Sequence, residues 1–308
     1  MTTTNAKSPA AGYPHVEQFE RILTGIAPYM ADTVARGRRD FGESWQRQFD
    51  ETLARLFGGD EARLSTAARG YVRFALDSVR LHKRFEKDRV YLPKTYDEAA
   101  RGVYHNKEYM DGLYLPGILL SHYLWPHHYR QLGYFQREFA PRVRAFDDQR
   151  FLDVGVGTGF YSRQMLAACP RTIGTAYDIS EYSLEYARAH VAAFGFSSRW
   201  SGEIRNVITN PPRDQWPCLV SVEVLEHLDD PLSYLHALRA RLAPGGLAFI
   251  TAAITAPNED HIYLYNNPQE VAAQLEAAAF RVLDFQEDVA YAPKADEPVP
   301  RLAAFIVS

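Results

Sequence analysis

The chain has 308 residues, about twice the size of a typical single domain, so its length predicts two domains. Its 46% hydrophobic and 23% charged residues exclude a wholly disordered chain, and its two cysteines are too few for a disulfide scaffold. The net charge of −4 is unevenly divided: residues 1–150 carry 23 Lys and Arg against 19 Asp and Glu, while residues 151–308 carry 11 against 19. The small positive excess of the N-terminal half excludes the strongly basic surface of a nucleic-acid-binding domain.

The first residues are polar and lack the apolar core of a secretory signal, and no stretch approaches the roughly 20 apolar residues that span a bilayer. Few cysteines are typical of a reducing compartment. We therefore expect a cytoplasmic protein with no membrane role.

The N-terminal half has helical periodicity. Residues 1–14 predict a flexible lead, and residues 15–148 predict an all-helical cap and substrate domain. Apolar residues recur at helical spacing, for example at Phe19, Ile22, Leu23 and Ile26. Ser65 and Thr66 are candidate N-cap residues for the helix that follows them.

The C-terminal half changes to short apolar runs that alternate with helical segments. Residues 149–308 contain FLDVGV, YSRQMLAAC, TIGTAYDI, EYSLEYARAHVAAF, CLVSVEVL, LSYLHALRARL and GLAFITAAI in that order. This rhythm predicts an α/β domain with parallel strands joined by right-handed crossovers. Ligands of such sheets bind beyond the carboxyl ends of the strands.

A glycine-rich turn, Asp153 to Gly159, follows the first of these strands and precedes a helix. Glycines let the backbone turn tightly and approach a ligand, and the helix N-terminus presents free N–H groups. The glycines stand at 155, 157 and 159, which departs from the G-x-G-x-x-G spacing of nicotinamide-binding loops. Asp178, about 20 residues downstream at the end of the next strand, is placed to accept both hydroxyls of a ribose.

These segments resemble class I S-adenosylmethionine (SAM) dependent methyltransferases. The matching pieces are LDVGVGTG at 152–159, AYDIS at 176–180, CLVSVEVLEHLDDP at 218–231 and LRARLAPGGLAFIT at 238–251. The resemblance implies a Rossmann-like, seven-stranded, mostly parallel sheet that binds SAM and releases S-adenosylhomocysteine. It implies that the loop from Asp153 through Gly155, Gly157 and Gly159 flanks the methionine part, and that Asp178 binds the ribose. The candidate residues around the adenine and the sulfonium are Ile179, Glu203 or Asn206, Ile204 and Glu223.

Four residues are candidate catalytic groups for taking a proton from the acceptor: His227, Glu223, Glu226 and His261. The alternative for His227 and its neighbour Glu226 is a structural or cofactor-side role, since the VLEHL sequence is common in the family with many substrates. If residues 261–265 are extended, His261, Tyr263 and Tyr265 share one side, so Tyr263 and Tyr265 are candidate substrate contacts. The alternative is that they pack beneath a lid.

Residues 103–135 are dense in aromatic side chains, and Tyr104, Tyr109 and His122 are further candidate substrate contacts. His122, His127 and His128 could suggest a metal, but adjacent histidines rarely bind one ion and no carboxylate stands at a familiar spacing. We therefore expect no metal.

Residues 79–107 carry eight basic residues against four acidic ones, which predicts a solvated helix face or, alternatively, a contact with an anionic acceptor. The Asn210 to Arg213 segment is similar to the NPPY motif of nucleic-acid methyltransferases, but it precedes the fourth strand instead of following it. We expect transfer to an oxygen or nitrogen of a small, anionic or carboxylate-bearing metabolite, with no nucleic-acid partner and with a homodimer left open. Alternatives are a carbon acceptor, a SAM-binding protein without transfer activity, and a nicotinamide oxidoreductase.

Overall fold

A computed structural model describes residues 12–92, 95–292 and 297–308. Most of the predicted flexible lead lies outside the described residues, as does Lys94 of the basic segment.

The N-terminal half is helical. Its eight helices are α1 (Pro14–Ile26), α2 (Asp32–Phe57), α3 (Glu61–Asp88), α4 (Tyr96–Gly102), α5 (Lys107–Tyr109), α6 (Leu115–Leu124), α7 (Pro126–Tyr134) and α8 (Ala140–Arg144). Two π-helical turns, Met110–Tyr114 and Phe135–Phe139, continue α5 and α7. The change from helices to strands falls between Arg144 and Arg150, within a few residues of the expected boundary.

The start of α3 corrects one expectation. Asp60, not Ser65 or Thr66, caps this helix, because its side chain accepts a hydrogen bond from the Arg63 backbone N–H. Thr66 lies inside the helix, where its hydroxyl donates to the Ala62 carbonyl. Asp is as favourable an N-cap residue as Ser, so the helix begins after Asp60, which precedes Ser65 in the chain.

The C-terminal half forms one sheet with the order β3-β2-β1-β4-β5-β7-β6. Its strands are β1 (Arg150–Val154), β2 (Ile173–Asp178), β3 (Trp200–Ile204), β4 (Trp216–Ser221), β5 (Leu242–Ile254), β6 (Val282–Val289) and β7 (Arg301–Val307). The helices between them are α9 (Phe160–Ala168), α10 (Glu181–Ala193), α11 (Pro231–Arg241) and α12 (Pro268–Ala277). β7 runs antiparallel to both β5 and β6, and all other strand pairs are parallel. The predicted seven-stranded, mostly parallel sheet is therefore confirmed.

The two halves share a hydrophobic core. One buried cluster joins residues of α1 to α3 and α6 to the sheet and α9. The ring centroids of Phe135 and Phe249, one from each half, lie 5.1 Å apart, and the buried Arg163 of α9 donates a hydrogen bond to Thr52 of α2. The helical region is therefore packed directly against one face of the sheet.

Within the part of the chain that the structure describes, no helix is long and apolar enough to span a membrane. The carboxyl ends of β1, β2 and β4 lie side by side, because these strands are parallel neighbours. The side chains at these three strand ends build the site described below.

Candidate active site

The loop between β1 and α9 is held in a conformation that favours glycine. Gly155, Gly157 and Gly159 all have positive φ, at 75°, 51° and 72°. A Cβ on Gly155 would lie 2.5 Å from a methyl of Val224, and a Cβ on Gly159 would lie 2.9 Å from Ala187. A Cβ on Gly157 would meet nothing within 4 Å. Gly155 and Gly159 thus serve packing, whereas Gly157 leaves open space beside the cavity.

Asp178 ends β2 directly beside this loop. Its two carboxylate oxygens accept hydrogen bonds from the backbone N–H groups of Gly157 (3.0 Å) and Ser180 (2.9 Å). A carboxylate has about four acceptor positions, so two remain for a ligand. Burial raises the pKa of Asp178, and the backbone donors oppose that rise.

A cavity of about 1000 Å³ opens beyond these strand ends. Its lining includes Gly155, Gly157 and Asp178 on one side and side chains of α3, α6 and α7 on the other. Ligand pockets commonly span about 300–1000 Å³, so the cavity has room for a nucleotide-sized cofactor together with a second molecule.

Part of the wall contributed by the helices is aromatic. Phe74 and Trp125 are stacked with ring centroids 5.5 Å apart, and His122 is stacked on Phe160 at 4.0 Å. Burial lowers the pKa of His122 well below its usual value, so this imidazole is neutral. The wall therefore suits a flat, weakly polar part of a ligand and excludes water.

Polar side chains gather where β4 ends. Glu223 has a positive φ of 54°, a conformation that costs a non-glycine residue about 1 kcal/mol or more. Its backbone N–H donates to the Thr251 hydroxyl at 2.9 Å, and that hydroxyl donates to the Glu223 carboxylate at 2.5 Å. Burial raises the pKa of Glu223 to about 7. This strained residue is thus fixed by the neighbouring strand β5 and faces the cavity.

Asp260, in the loop after β5, connects this cluster to the helical half. It is fully buried, and its carboxylate accepts hydrogen bonds from the hydroxyls of Tyr104 (3.0 Å) and Tyr114. Although burial alone would raise its pKa, the adjacent His227 and His261 and the two tyrosine hydroxyls lower it. Asp260 is therefore a buried carboxylate on which three segments of the chain converge.

Hydrogen bonds also define the tautomers of two imidazoles. Nδ1 of His227 lies 3.0 Å from the Tyr104 hydroxyl and 3.2 Å from the Asp260 carbonyl. Since the Tyr104 hydroxyl donates its one proton to Asp260, His227 must donate from Nδ1. His261 likewise donates from Nδ1 to the Ala256 carbonyl at 2.6 Å, and burial lowers its pKa to about 3. The Nε2 lone pairs of both rings are left for a proton, a ligand or a cation.

Comparison with known proteins agrees with this geometry. A family model described as a methyltransferase domain matches residues 152–248. Residues 152–248 are therefore similar to a methyltransferase domain, and the sheet that contains them has the class I SAM-dependent methyltransferase fold.

Two curated relatives and one solved structure illustrate the similarity. A ubiquinone biosynthesis O-methyltransferase of Parvibaculum lavamentivorans is 32% identical over 36% of this chain and 43% of its own length. A malonyl-[acyl-carrier protein] O-methyltransferase of Halalkalibacterium halodurans is 30% identical over 39% of this chain and 49% of its own. The structure of an O-methyltransferase family protein from Burkholderia thailandensis is 12% identical, with a TM-score of 0.50 over 78% of this chain and 71% of that one, and shows the shared fold. The chain thus spans less than half the length of these curated relatives.

The methyltransferase domain presents the groups that SAM requires. Asp178 has two free acceptor positions for the ribose hydroxyls, Gly157 leaves open space that a ligand atom can fill, and the N-terminus of α9 follows the loop. The cavity they line is large enough for the whole cofactor. The residues present therefore fit SAM.

Eleven of the residues predicted for the site line the cavity. They are Asp153, Gly155, Gly157, Asp178, Ile179, Asn206, Glu223, His227, His261, Tyr104 and His122. The Asp153 carboxylate accepts a hydrogen bond from the Ser162 hydroxyl at 2.7 Å, which fixes α9 against the loop. Their roles in binding and catalysis stay predictions.

Three predicted cofactor contacts lie elsewhere. Glu203 and Ile204 belong to β3, the edge strand of the sheet, and both are exposed. Glu203 pairs with Arg205 at 2.6 Å instead of facing the cavity, which Arg205 and Asn206 do line. Gly159 is the N-cap residue of α9 and packs against Ala187 of α10.

Three predicted substrate contacts are also displaced. Tyr263 and Tyr265 point toward α12, where the Gln274 amide hydrogen-bonds to both hydroxyls. This placement agrees with the alternative that the two tyrosines serve packing. Residues 261–265 do not form the strand that would place alternate side chains on one side, apart from a single β-bridge between Tyr265 and Ile254. Tyr109 lines a small separate pocket with Arg73 and Glu259.

Sequence reasoning missed Asp260 and Tyr114. Asp260 directly precedes His261, a predicted site residue, but its hydrogen bonds to the two tyrosines join residues 156 and 146 positions apart along the chain. No local pattern could have indicated them.

Gly157→Ala tests the open space in the loop. We expect a loss of stability of about 1–2 kcal/mol from the left-handed conformation and a fall of at least about tenfold in S-adenosylhomocysteine affinity, because the new methyl projects into the cavity. Gly58→Ala is the matched control, since Gly58 has a φ of 54° at the end of α2 and an added Cβ there makes only an ordinary contact, 3.9 Å from Ala54. Denaturant unfolding and calorimetric titration measure both quantities. Equal affinity in the two variants would contradict the assignment.

Proposed function

We propose that this protein transfers the methyl group of SAM to an oxygen or nitrogen of a small, anionic or carboxylate-bearing metabolite. The observation that carries the proposal is that the cofactor-binding elements and the buried polar cluster line one cavity. Curated relatives that match the domain are named as O-methyltransferases, which supports transfer to oxygen.

The chain's own residues have distinct tasks in this proposal. Asp178 holds the ribose, the loop from Asp153 to Gly157 flanks the methionine part, and Ile179 lies beside the adenine. Bound there, SAM supplies a methyl group on a sulfonium, which an electron-rich atom accepts by in-line displacement. The aromatic wall excludes water and orients the acceptor.

An acceptor that arrives protonated must lose that proton. His227 and His261 both present Nε2 lone pairs, and their rings lie 4.7 Å apart beside Glu223 in the cavity lining. His227, His261 and Glu223 are therefore the residues to which we assign proton transfer.

Cations in the lining of the cavity support an anionic acceptor. Lys83 of α3 and Arg36 of α2 belong to that lining. Three other described members of the basic segment have acidic partners instead: Arg80 with Asp77 and Glu259, Arg84 with Asp88, and Lys107 with Asp111. Those pairs agree with the prediction of a solvated helix face. Among the basic residues of the segment that the structure describes, Lys83 is the one that lines the cavity.

The direct test measures S-adenosylhomocysteine formation from SAM with a panel of hydroxy and amino carboxylic acids, aromatic ones included. We expect turnover with at least one carboxylate-bearing member and less with its methyl ester. SAM binding with no product from any acceptor would favour a SAM-binding protein without transfer activity. Turnover with uncharged acceptors alone would remove the anionic part of the proposal.

Lys83→Ala should raise the KM of an anionic acceptor by about 3- to 5-fold with little change in kcat, because an exposed ion pair contributes up to about 1 kcal/mol. Lys87→Ala, one turn further along α3 and outside the cavity, is the control and should leave KM unchanged. Steady-state kinetics at low salt measures both. Identical KM values for the two variants would argue against a contact at Lys83.

A further inference from the structure

Glu226 is buried beneath the polar cluster in a way that leaves its carboxylate without a good partner. It is 0% exposed, and neither carboxylate oxygen has a well-formed hydrogen bond within the described residues. The polar groups around it include the Glu223 carboxyl and the backbone amides of Glu226 itself and Ala253. A buried carboxylate in this state is unfavourable unless something positive compensates it.

Two imidazoles face the same point. Glu226, His227 and His261 each offer one donor atom, and these atoms lie within 4.8 Å of one another. Because Nδ1 of each ring faces a backbone carbonyl, to which it donates, Nε2 is the nitrogen of each imidazole that keeps a lone pair for a cation. Such donors repel one another until a proton or a cation lies among them.

The surroundings of the imidazoles match those of metal-binding histidines, which donate their second N–H to a carbonyl or carboxylate. His227 donates to the Asp260 carbonyl at 3.2 Å, with the Asp260 carboxylate 3.3 Å away, and His261 donates to the Ala256 carbonyl at 2.6 Å. These bonds fix both rings before any ion arrives.

We propose that Glu226, His227 and His261 bind one divalent transition-metal cation, with Zn²⁺ as the reference ion. Two imidazoles and one carboxylate suit zinc and its first-row neighbours, whereas Mg²⁺ and Ca²⁺ prefer oxygen ligands. Ligands on a tetrahedral zinc ion lie about 3.3–3.5 Å apart. The three donor atoms, which lie within 4.8 Å of one another, therefore need to approach by up to roughly 1 Å when an ion binds. Three protein ligands leave at least one open position, and His227 and His261 line the cavity on that side.

The site emerges only from the fold, which explains why the sequence led us to expect no metal. The spacing argument considered His122, His127 and His128 on the helices. Glu226 and His227 follow β4, whereas His261 follows β5, and the pairing of these parallel strands brings them together.

The catalytic part of this inference rests on the proposed function. An acceptor hydroxyl on the cation loses its proton to solvent, since a bound cation lowers the pKa of an oxygen ligand. The resulting oxygen forms a bond to the methyl carbon while the carbon–sulfur bond of SAM breaks, and the sulfur keeps the electron pair as S-adenosylhomocysteine. With the cation bound, His227 and His261 are its ligands, and this role replaces the proton transfer assigned to them in the metal-free protein.

The test measures metal binding to the full chain without any acceptor. After treatment with EDTA and dialysis, the protein is titrated with Zn²⁺ in competition with a chromophoric chelator, and with Co²⁺ while its visible spectrum is recorded. We expect one Zn²⁺ per chain, an affinity at least about 100-fold lower in Glu226→Gln and in His261→Ala, and an intense low-symmetry Co²⁺ spectrum in the wild type alone. His236→Ala removes an exposed histidine of α11 and should bind as the wild type does.

Wild-type affinity in Glu226→Gln and His261→Ala, or a weak octahedral Co²⁺ spectrum in the wild type, would overturn the site. If a variant fails to fold, the wild-type stoichiometry and Co²⁺ spectrum still decide. Titration of the metal-free wild type with S-adenosylhomocysteine separates the two proposals. Binding of S-adenosylhomocysteine without Zn²⁺ binding removes only the metal site, whereas Zn²⁺ binding without S-adenosylhomocysteine binding removes the proposed function and leaves the site.

Discussion

Asp178→Ala should lower the affinity for S-adenosylhomocysteine at least about 100-fold. The substitution removes the two acceptor positions that remain for the ribose hydroxyls, and hydrogen bonds to a charged group contribute about 1.5–3 kcal/mol each. It also frees the backbone N–H groups of Gly157 and Ser180, which shape the loop. Isothermal titration calorimetry measures the loss.

Glu203→Ala provides the matched control for Asp178→Ala. Glu203 is a carboxylate on the adjacent strand β3, whose residue Ile204 pairs with Asp178, but it is exposed and bound to Arg205. We expect wild-type affinity in this variant. If Asp178→Ala bound within about threefold of the wild type, the ribose assignment would be wrong.

Asp260→Ala should lower the free energy of unfolding by about 3–5 kcal/mol. The variant leaves the hydroxyls of Tyr104 and Tyr114 buried without their acceptor and takes a negative charge away from His227 and His261. It also loses the tie between the loop after β5 and the helical half. Urea unfolding followed by circular dichroism measures the change.

Asp284→Ala serves as the control because Asp284 forms a partly exposed ion pair with Arg142 at 2.8 Å, which also links the two halves. We expect a loss of at most about 1 kcal/mol there. A loss below about 1 kcal/mol for Asp260→Ala would mean that the buried cluster does not hold the two halves together.

Much of the fold could be predicted because its signals are local. The alternation of strand and helix, the glycine turn and the acid that ends β2 are written in short segments, and the structure places all three as expected. The change from helices to strands near Arg150 follows from periodicity alone.

The parts that failed depend on position in the sheet or on distant contacts. Glu203 and Ile204 are exposed because β3 lies at the edge, a fact of strand order that their own sequence does not contain. Tyr263 and Tyr265 turn toward Gln274 of α12, so the assumption of an extended strand did not apply. The convergence of Tyr104, Tyr114 and Asp260 exists only after the halves have packed. That of Glu226 with His261 exists only after β4 and β5 have paired.

The most direct test of the central claim is a calorimetric titration of the full chain with SAM and, separately, with NADH. We expect one SAM per chain with a Kd in the micromolar range or below and no measurable NADH binding. Binding of NADH without affinity for SAM would contradict it and would favour an oxidoreductase on a similar sheet.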